Sequence, residues 1–95
     1  MNKGTADLIS YLIKAKNSLK ILELLVTEGD YTSKQIQIKL ELHLSNVSRT
    51  VSDLERRKLI KCINPESIVK FYISTTKGKD IITEVKNYKK KINQK

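Results

Sequence analysis

Residues 32–60 read TSKQIQIKLELHLSNVSRTVSDLERRKLI, and the spacing within them decides the fold. Thr32 is a good helix cap, and Gln35 three positions on completes a capping box, in which the two residues satisfy each other's free backbone amides. Ile36 and Leu40 stand four apart, on one face of the helix so started. Glu41-Leu42-His43-Leu44 then breaks that period. Ser45 is the next capping residue and predicts a second helix over about residues 46–58. On this second helix Val47, Val51 and Leu54 share one side, as a core face does. Ser45, Ser48, Arg49, Ser52 and Arg56 share the other side. Two short helices joined by a tight turn, the second polar on one face, form a helix-turn-helix whose second helix enters the major groove of DNA. Small hydroxylated side chains permit close approach to a groove floor, and an arginine pairs bidentately with guanine. Composition alone would favour an ordinary amphipathic helix with a solvated Ser/Arg face, so the spacing of the motif and the segments around it have to decide.

The segment after the motif is strand-like. Leu59 to Ile63 has strand character, Asn64-Pro65-Glu66-Ser67 is a turn cluster, and Ile68 to Ile73 is rich in β-branched and aromatic residues. A helix-turn-helix with a hairpin directly after it is a winged helix. The expected fold is therefore mainly α with a small β-hairpin (α+β), a winged helix-turn-helix with extra N- and C-terminal helices.

These residues resemble the winged-helix regulators of the MarR and ArsR type. Leu44-Ser45-Asn46-Val47-Ser48-Arg49-Thr50-Val51, with Leu54 to Ile60, is similar to their run LSxSTVSRxLxxLExRGLI. Tyr72 to Gly78 is similar to their YxLTxKG segment, and Ser18 to Leu25 to their RLxILxLL helix. The likeness covers about residues 17–85. It implies a DNA-binding transcription regulator, with a recognition helix over about residues 45–58 in the major groove and a wing over about 60–73 at the backbone. Two departures shape the expectation. MarR-type wings often carry an arginine at the tip, whereas Asn64-Pro65-Glu66-Ser67 holds an acid and no cation, so Lys61 and Lys70 on the wing strands are expected to meet phosphates instead. Metal-sensing ArsR members carry paired cysteines, and this chain has one, Cys62. No metal and no cofactor is expected. The chain is also shorter than most MarR-type proteins, and nothing in its residues marks an effector pocket.

The expected contacts to double-stranded DNA are Ser45, Asn46, Ser48, Arg49, Ser52 and Arg56 in the groove and at its walls. Thr32 and Lys34, at the start of the preceding helix, and Lys61 and Lys70 are expected at phosphates. Charge supports a polyanionic partner. The chain carries 19 Lys and Arg against 10 Asp and Glu, a net charge of +9. Residues 1–55 hold seven of each sign, so the whole excess lies in residues 56–95. A basic excess of this kind attracts nucleic acid. An anionic membrane surface is the other polyanion to weigh, yet no stretch sets an aromatic and apolar face against a lysine face as an interfacial helix does. The run Lys89-Lys90-Lys91 also reads simply as a solvated helix end, where cations suit the helix dipole.

Ninety-five residues suit a single domain over residues 1–95, with a winged-helix core over 17–75 and flanking helices over 5–16 and 76–92. Thr5 and Thr75 are the capping candidates for the flanking helices. The first carries Leu8, Ile9, Tyr11, Leu12 and Ile13, more apolar residues than one winged helix needs. On the last, Ile81, Val85, Tyr88 and Ile92 are spaced four, three and four, a heptad seam. Such a seam packs against its twin or folds back on its own domain. The expected arrangement is a homodimer through Leu8, Leu12, Ile81, Val85, Tyr88 and Ile92, with two recognition helices about 34 Å apart, or a multiple of that, facing a palindromic site.

The remaining single residues have structural readings. Cys62 alternates in phase with Ile60, as a buried small residue would. His43 lies in the turn with no second ligand beside it. Tyr31 precedes the Thr32 cap and could staple onto Ile36. Gly29 comes after a helix over about residues 19–28 and suits its C-terminal cap. There is neither an N-terminal apolar leader segment nor a run long enough to span a membrane, and the expected location is cytoplasmic. No Gly-rich phosphate loop and no Ser/His/Asp or Cys/His set is present, so catalysis is not expected. Two rivals stay open: a sequence-neutral architectural DNA binder, which the lysine-rich second half suits, and a protein-interaction winged helix, which the neutral first half suits.

Overall fold

The computed structural model describes residues 3–93, with side chains over residues 4–90. Its elements run α1 (Lys3–Lys14), α2 (Lys16–Glu28), β1 (Tyr31–Thr32), α3 (Ser33–Leu40), α4 (Leu44–Arg56), β2 (Ile60–Cys62), β3 (Phe71–Ser74) and α5 (Thr76–Asn93). Five helices and a small antiparallel sheet make this a mostly helical α+β fold, a winged helix.

The apolar periods place the core. Leu19, Ile21, Leu22, Leu24 and Leu25 of α2 are buried against Ile36 of α3 and Val47, Val51 and Leu54 of α4, with Leu59 and Ile60 closing one end. Leu12 is fully enclosed, at 0% exposure, and Ile9, Ile81, Ile82 and Val85 join the same cluster. α1 therefore packs on α5 and α2 of its own chain. The seam expected to meet a twin largely folds back: Leu12, Ile81 and Val85 are interior residues of the protomer, because α1 supplies the apolar surface that α5 needs. Ile92 lies outside the described side chains.

Local signals set the helix ends. Thr32 Oγ1 accepts from the Gln35 amide at 3.1 Å, and Gln35 Oε1 accepts from the Thr32 amide at 2.9 Å, the expected capping box. Thr75 Oγ1 accepts from the Gly78 amide at 3.0 Å and caps α5. Gly29 closes α2 at φ 103°, a left-handed value that glycine adopts freely. The turn of the helix-turn-helix is Glu41–His43, with Glu41 at φ 55° and the Leu42 amide bonded back to the Gln37 carbonyl. α4 starts two residues earlier than its capping residues predict. His43 occupies the cap position without a side-chain bond, and Ser45 sits in the first turn.

The sheet has strand order β1-β3-β2, with Ile60, Lys61 and Cys62 opposite Ser74, Ile73 and Tyr72. β1 pairs Tyr31 with Tyr72 and Thr32 with Phe71. The second wing strand is shorter than its β-branched run predicts, beginning at Phe71 and not at Ile68. Asn64 is the reason. Its Oδ1 accepts from the Phe71 amide at 2.7 Å and its Nδ2 donates to the Val69 carbonyl at 2.9 Å. One side chain thus takes backbone groups that a ladder would have used, and residues 64–70 form a braced loop.

Candidate nucleic-acid interface

α4 carries the face on which the functional reading turns. With Val47, Val51 and Leu54 buried, the helix cannot rotate about its axis, and Ser45, Ser48, Arg49, Ser52 and Arg56 are held outward and exposed. Asn46 is half-buried at the edge of this face. The hydroxylated and cationic groups picked out by spacing are thus brought together on one helix. Lys34 is exposed in the first turn of α3 and Lys61 on β2. Lys70 is exposed too, but in the wing loop just before β3 and not on a strand. Thr32 departs from expectation. It is buried and its hydroxyl already serves the capping box, so it is a folding residue rather than a phosphate contact.

The wing tip is the loop between β2 and β3. Ile63, Ile68 and Val69 are exposed there beside Pro65 and Glu66, and the cations stand at its foot.

At the C-terminal end of α4, Arg56 is joined by Asp53, Arg57 and Tyr11, which the sequence reading did not single out for the interface. Asp53 Oδ1 accepts from Arg56 Nη2 at 2.6 Å and its Oδ2 from Arg57 Nε at 3.3 Å. The Tyr11 hydroxyl of α1 donates to the same Oδ2. The Arg57 guanidinium lies 3.7 Å from the centre of the Tyr11 ring, a cation–π contact. The Tyr11 oxygen is 2.8 Å from Ser18 Oγ. The Tyr11 bond holds the Asp53 carboxyl below the usual aspartate range, with Arg57 adding to the effect, while desolvation pulls the other way. Burial, then the bond to Asp53, raises the Tyr11 hydroxyl above its ordinary value. The i+3 and i+4 spacing of Arg56 and Arg57 from Asp53 was a local signal for part of this cluster. Lys77 Nζ donates to the Arg57 carbonyl at 3.3 Å, so α5 closes the same corner.

No family model and no curated protein matches the chain. Solved structures do. The YusO protein of Bacillus subtilis aligns with a TM-score of 0.74 at 24% identity, over 80% of this chain and 55% of its own. A protein described as a MarR family transcription regulator aligns at 28% identity and a TM-score of 0.69, over 77% of this chain and 50% of its own. The fold is the MarR-type winged helix. Reduced HlyU of Vibrio cholerae N16961 aligns over 92% of this chain and 90% of its own, with a TM-score of 0.72 and 24% identity. The chain thus spans about half the length of the first two of these structures. In this MarR-type winged helix, α3 and α4 are the helix-turn-helix and β2–β3 the wing. No described helix is long and apolar enough to cross a membrane.

Proposed function

We propose that this chain is a DNA-binding regulator of transcription that acts as a homodimer, and not an enzyme. One observation carries the reading: the exposed face of α4 gathers Ser45, Ser48, Arg49, Ser52 and Arg56 while its opposite face is locked into the core. In this reading Arg49 pairs with a guanine edge, the serines and Asn46 line the groove, and Lys34, Lys61 and Lys70 neutralise phosphates. The basic second half of the chain supports the approach to a polyanion. Likeness to a named MarR family regulator supports the same reading. The partner copy would dock on the outer side of α1 and α5, where Leu8 is half-buried and Tyr88 is 45% exposed. The place of action would be the cytoplasm.

The exposed lysines Lys79, Lys86, Lys89 and Lys90 on α5 favour a second reading, a sequence-neutral architectural DNA binder. Selection from a random DNA pool across a salt series, with sequencing of the retained fragments, separates the two. An enriched motif with two-fold symmetry supports the dimeric regulator. Salt-dependent binding without enrichment supports the architectural reading. No binding at low salt would overturn both and leave a protein-interaction module.

A further inference from the structure

Asp53 stands at the border of the groove face of α4, and both of its oxygens are engaged. Arg56 takes one, while Arg57 and the Tyr11 hydroxyl take the other. Arg56 belongs to the same face as Ser45, Ser48, Arg49 and Ser52, and its side chain is 74% exposed, so a phosphate can reach it. Its guanidinium is nevertheless bonded to Asp53. Tyr11 keeps that carboxylate from turning. Its ring lies under Arg57, and since its one proton goes to Asp53, the Ser18 hydroxyl is left to donate to it. A residue of α1, 42 positions away, therefore sets the orientation of an acid on the recognition helix.

We propose that Asp53 is a positioning residue for DNA binding: it holds Arg56 in competition with a DNA phosphate, and Tyr11 of α1 fixes the carboxylate that does so. The proposal rests on the DNA-binding reading. An exposed ion pair contributes little to stability, so it is readily exchanged for a phosphate and acts on affinity more than on folding. The position of α1 thereby becomes a determinant of how much charge the recognition helix offers.

The test is a set of anisotropy titrations with a duplex retained by the unmodified protein, across a salt series, using Asp53→Asn, Arg56→Gln and the double variant. Asp53→Asn is expected to tighten binding about two- to fivefold, the range of an exposed pair. It should also steepen the log–log salt slope by about one unit, as one added phosphate contact does. In the Arg56→Gln background the same change should lose its effect on both. Tyr11→Phe keeps the ring under Arg57 and the charge on Asp53. It should change affinity when Arg56 is present and leave it unchanged when Arg56 is absent. Equal gains from Asp53→Asn in both backgrounds would mean plain charge repulsion and would overturn the proposal, with the DNA-binding reading intact. A Tyr11→Phe variant with unaltered binding would overturn the part given to α1. Absence of salt-dependent binding by the unmodified protein would remove the functional reading itself and this proposal with it.

Discussion

Gly78 lies against the Leu59 carbonyl so closely that a Cβ on it would come within 2.2 Å of that oxygen and 3.2 Å of Leu22 Cδ1. The first turn of α5 is bolted at this point to the exit from α4. The Thr75 amide donates to the Leu59 carbonyl at 3.0 Å and the Thr75 hydroxyl to the Lys58 carbonyl at 2.8 Å. In an open helix, Gly→Ala gains up to about 1 kcal/mol. Here the obstacle is backbone, and backbone cannot swing aside. Gly78→Ala is expected to destabilise by about 1–3 kcal/mol, as overpacking does. For a domain of this size each kcal/mol lowers the melting midpoint by about 4–8 °C. A variant that melts at or above the unmodified protein would show that α5 can shift.

Lys58 is a second position where backbone geometry, not contact, sets the outcome. α4 ends in a Schellman motif, with the Lys58 amide bonded to the Glu55 carbonyl at 2.9 Å and the Leu59 amide to the Leu54 carbonyl at 3.0 Å. That ending puts Lys58 at φ 64°, a left-handed value costing a lysine about 1–2 kcal/mol. The run that this segment resembles, LExRGLI, has glycine here. Lys58→Gly is expected to stabilise by roughly 0.5–1 kcal/mol, the relief of strain exceeding the extra freedom of glycine in the unfolded chain. Lys58→Ala keeps the Cβ and should give no gain. Chemical denaturation of the three proteins decides; a gain from alanine equal to that from glycine would place the effect in the lysine charge.

What was legible in the residues was local. The Thr32–Gln35 box, the buried and exposed sides of α4 and the cap at Thr75 each depend on neighbours within one helical turn, and each stands as spacing implies. What escaped was set by distance along the chain. Tyr31–Thr32 is a strand only because β3, some forty residues later, lies beside it. The apolar seam of α5 was visible, but not that α1 would cover Ile81 and Val85. Asp53 showed its two arginines at helical spacing, while Tyr11 could not be paired with it before the chain was folded. Ile68 to Lys70 had strand composition and lost to a single competing side chain, that of Asn64.

That competition makes the wing sensitive at one residue. Asn64 bonds Phe71 and Val69, and its own carbonyl accepts from the Ser67 amide at 3.0 Å. Asn64→Ala removes these two bonds to the backbone, each with a net contribution of about 0.5–1.5 kcal/mol, and the weaker one that Cys62 Sγ donates to Oδ1 at 3.7 Å. The core lies elsewhere, so the loss should be local. The Phe71 amide is expected to exchange with solvent about tenfold faster or more, with amides in α2 unaffected. Asn64→Asp retains the acceptor and should fall between. Unchanged exchange at Phe71 would mean that the β2–β3 ladder holds the loop without the side chain.

Asp53 gives the fold a defined acid dependence. Its carboxyl is held below the usual aspartate value, chiefly by the Tyr11 hydroxyl and further by Arg57. The folded state therefore binds this proton less readily than the unfolded chain. The stabilising contribution is full above the unfolded pKa, near 3.9, and disappears as pH falls through the lower folded value. Asp53→Asn lacks it at every pH. The stability difference between the unmodified protein and this variant should be constant above about pH 5 and shrink as the pH drops toward 2–3. Urea midpoints measured in parallel read this directly, and a difference that stays flat into acid would show that the carboxylate contributes nothing as a charge.

The two kinds of DNA contact separate by what they do to sequence preference. Arg49 is exposed on α4 and Lys61 on β2; in the proposed reading the first pairs with a guanine and the second meets a phosphate. Arg49→Ala should cost about 1–3 kcal/mol on the preferred duplex and relax selection at one base pair. Lys61→Ala should weaken all duplexes alike and flatten the salt slope by about one unit. Each variant serves as the control for the other, because both remove one positive charge. If Arg49→Ala weakened preferred and random duplexes by the same factor, its role would be that of another phosphate contact, and sequence reading would have to be sought in the serines and Asn46 along the same face.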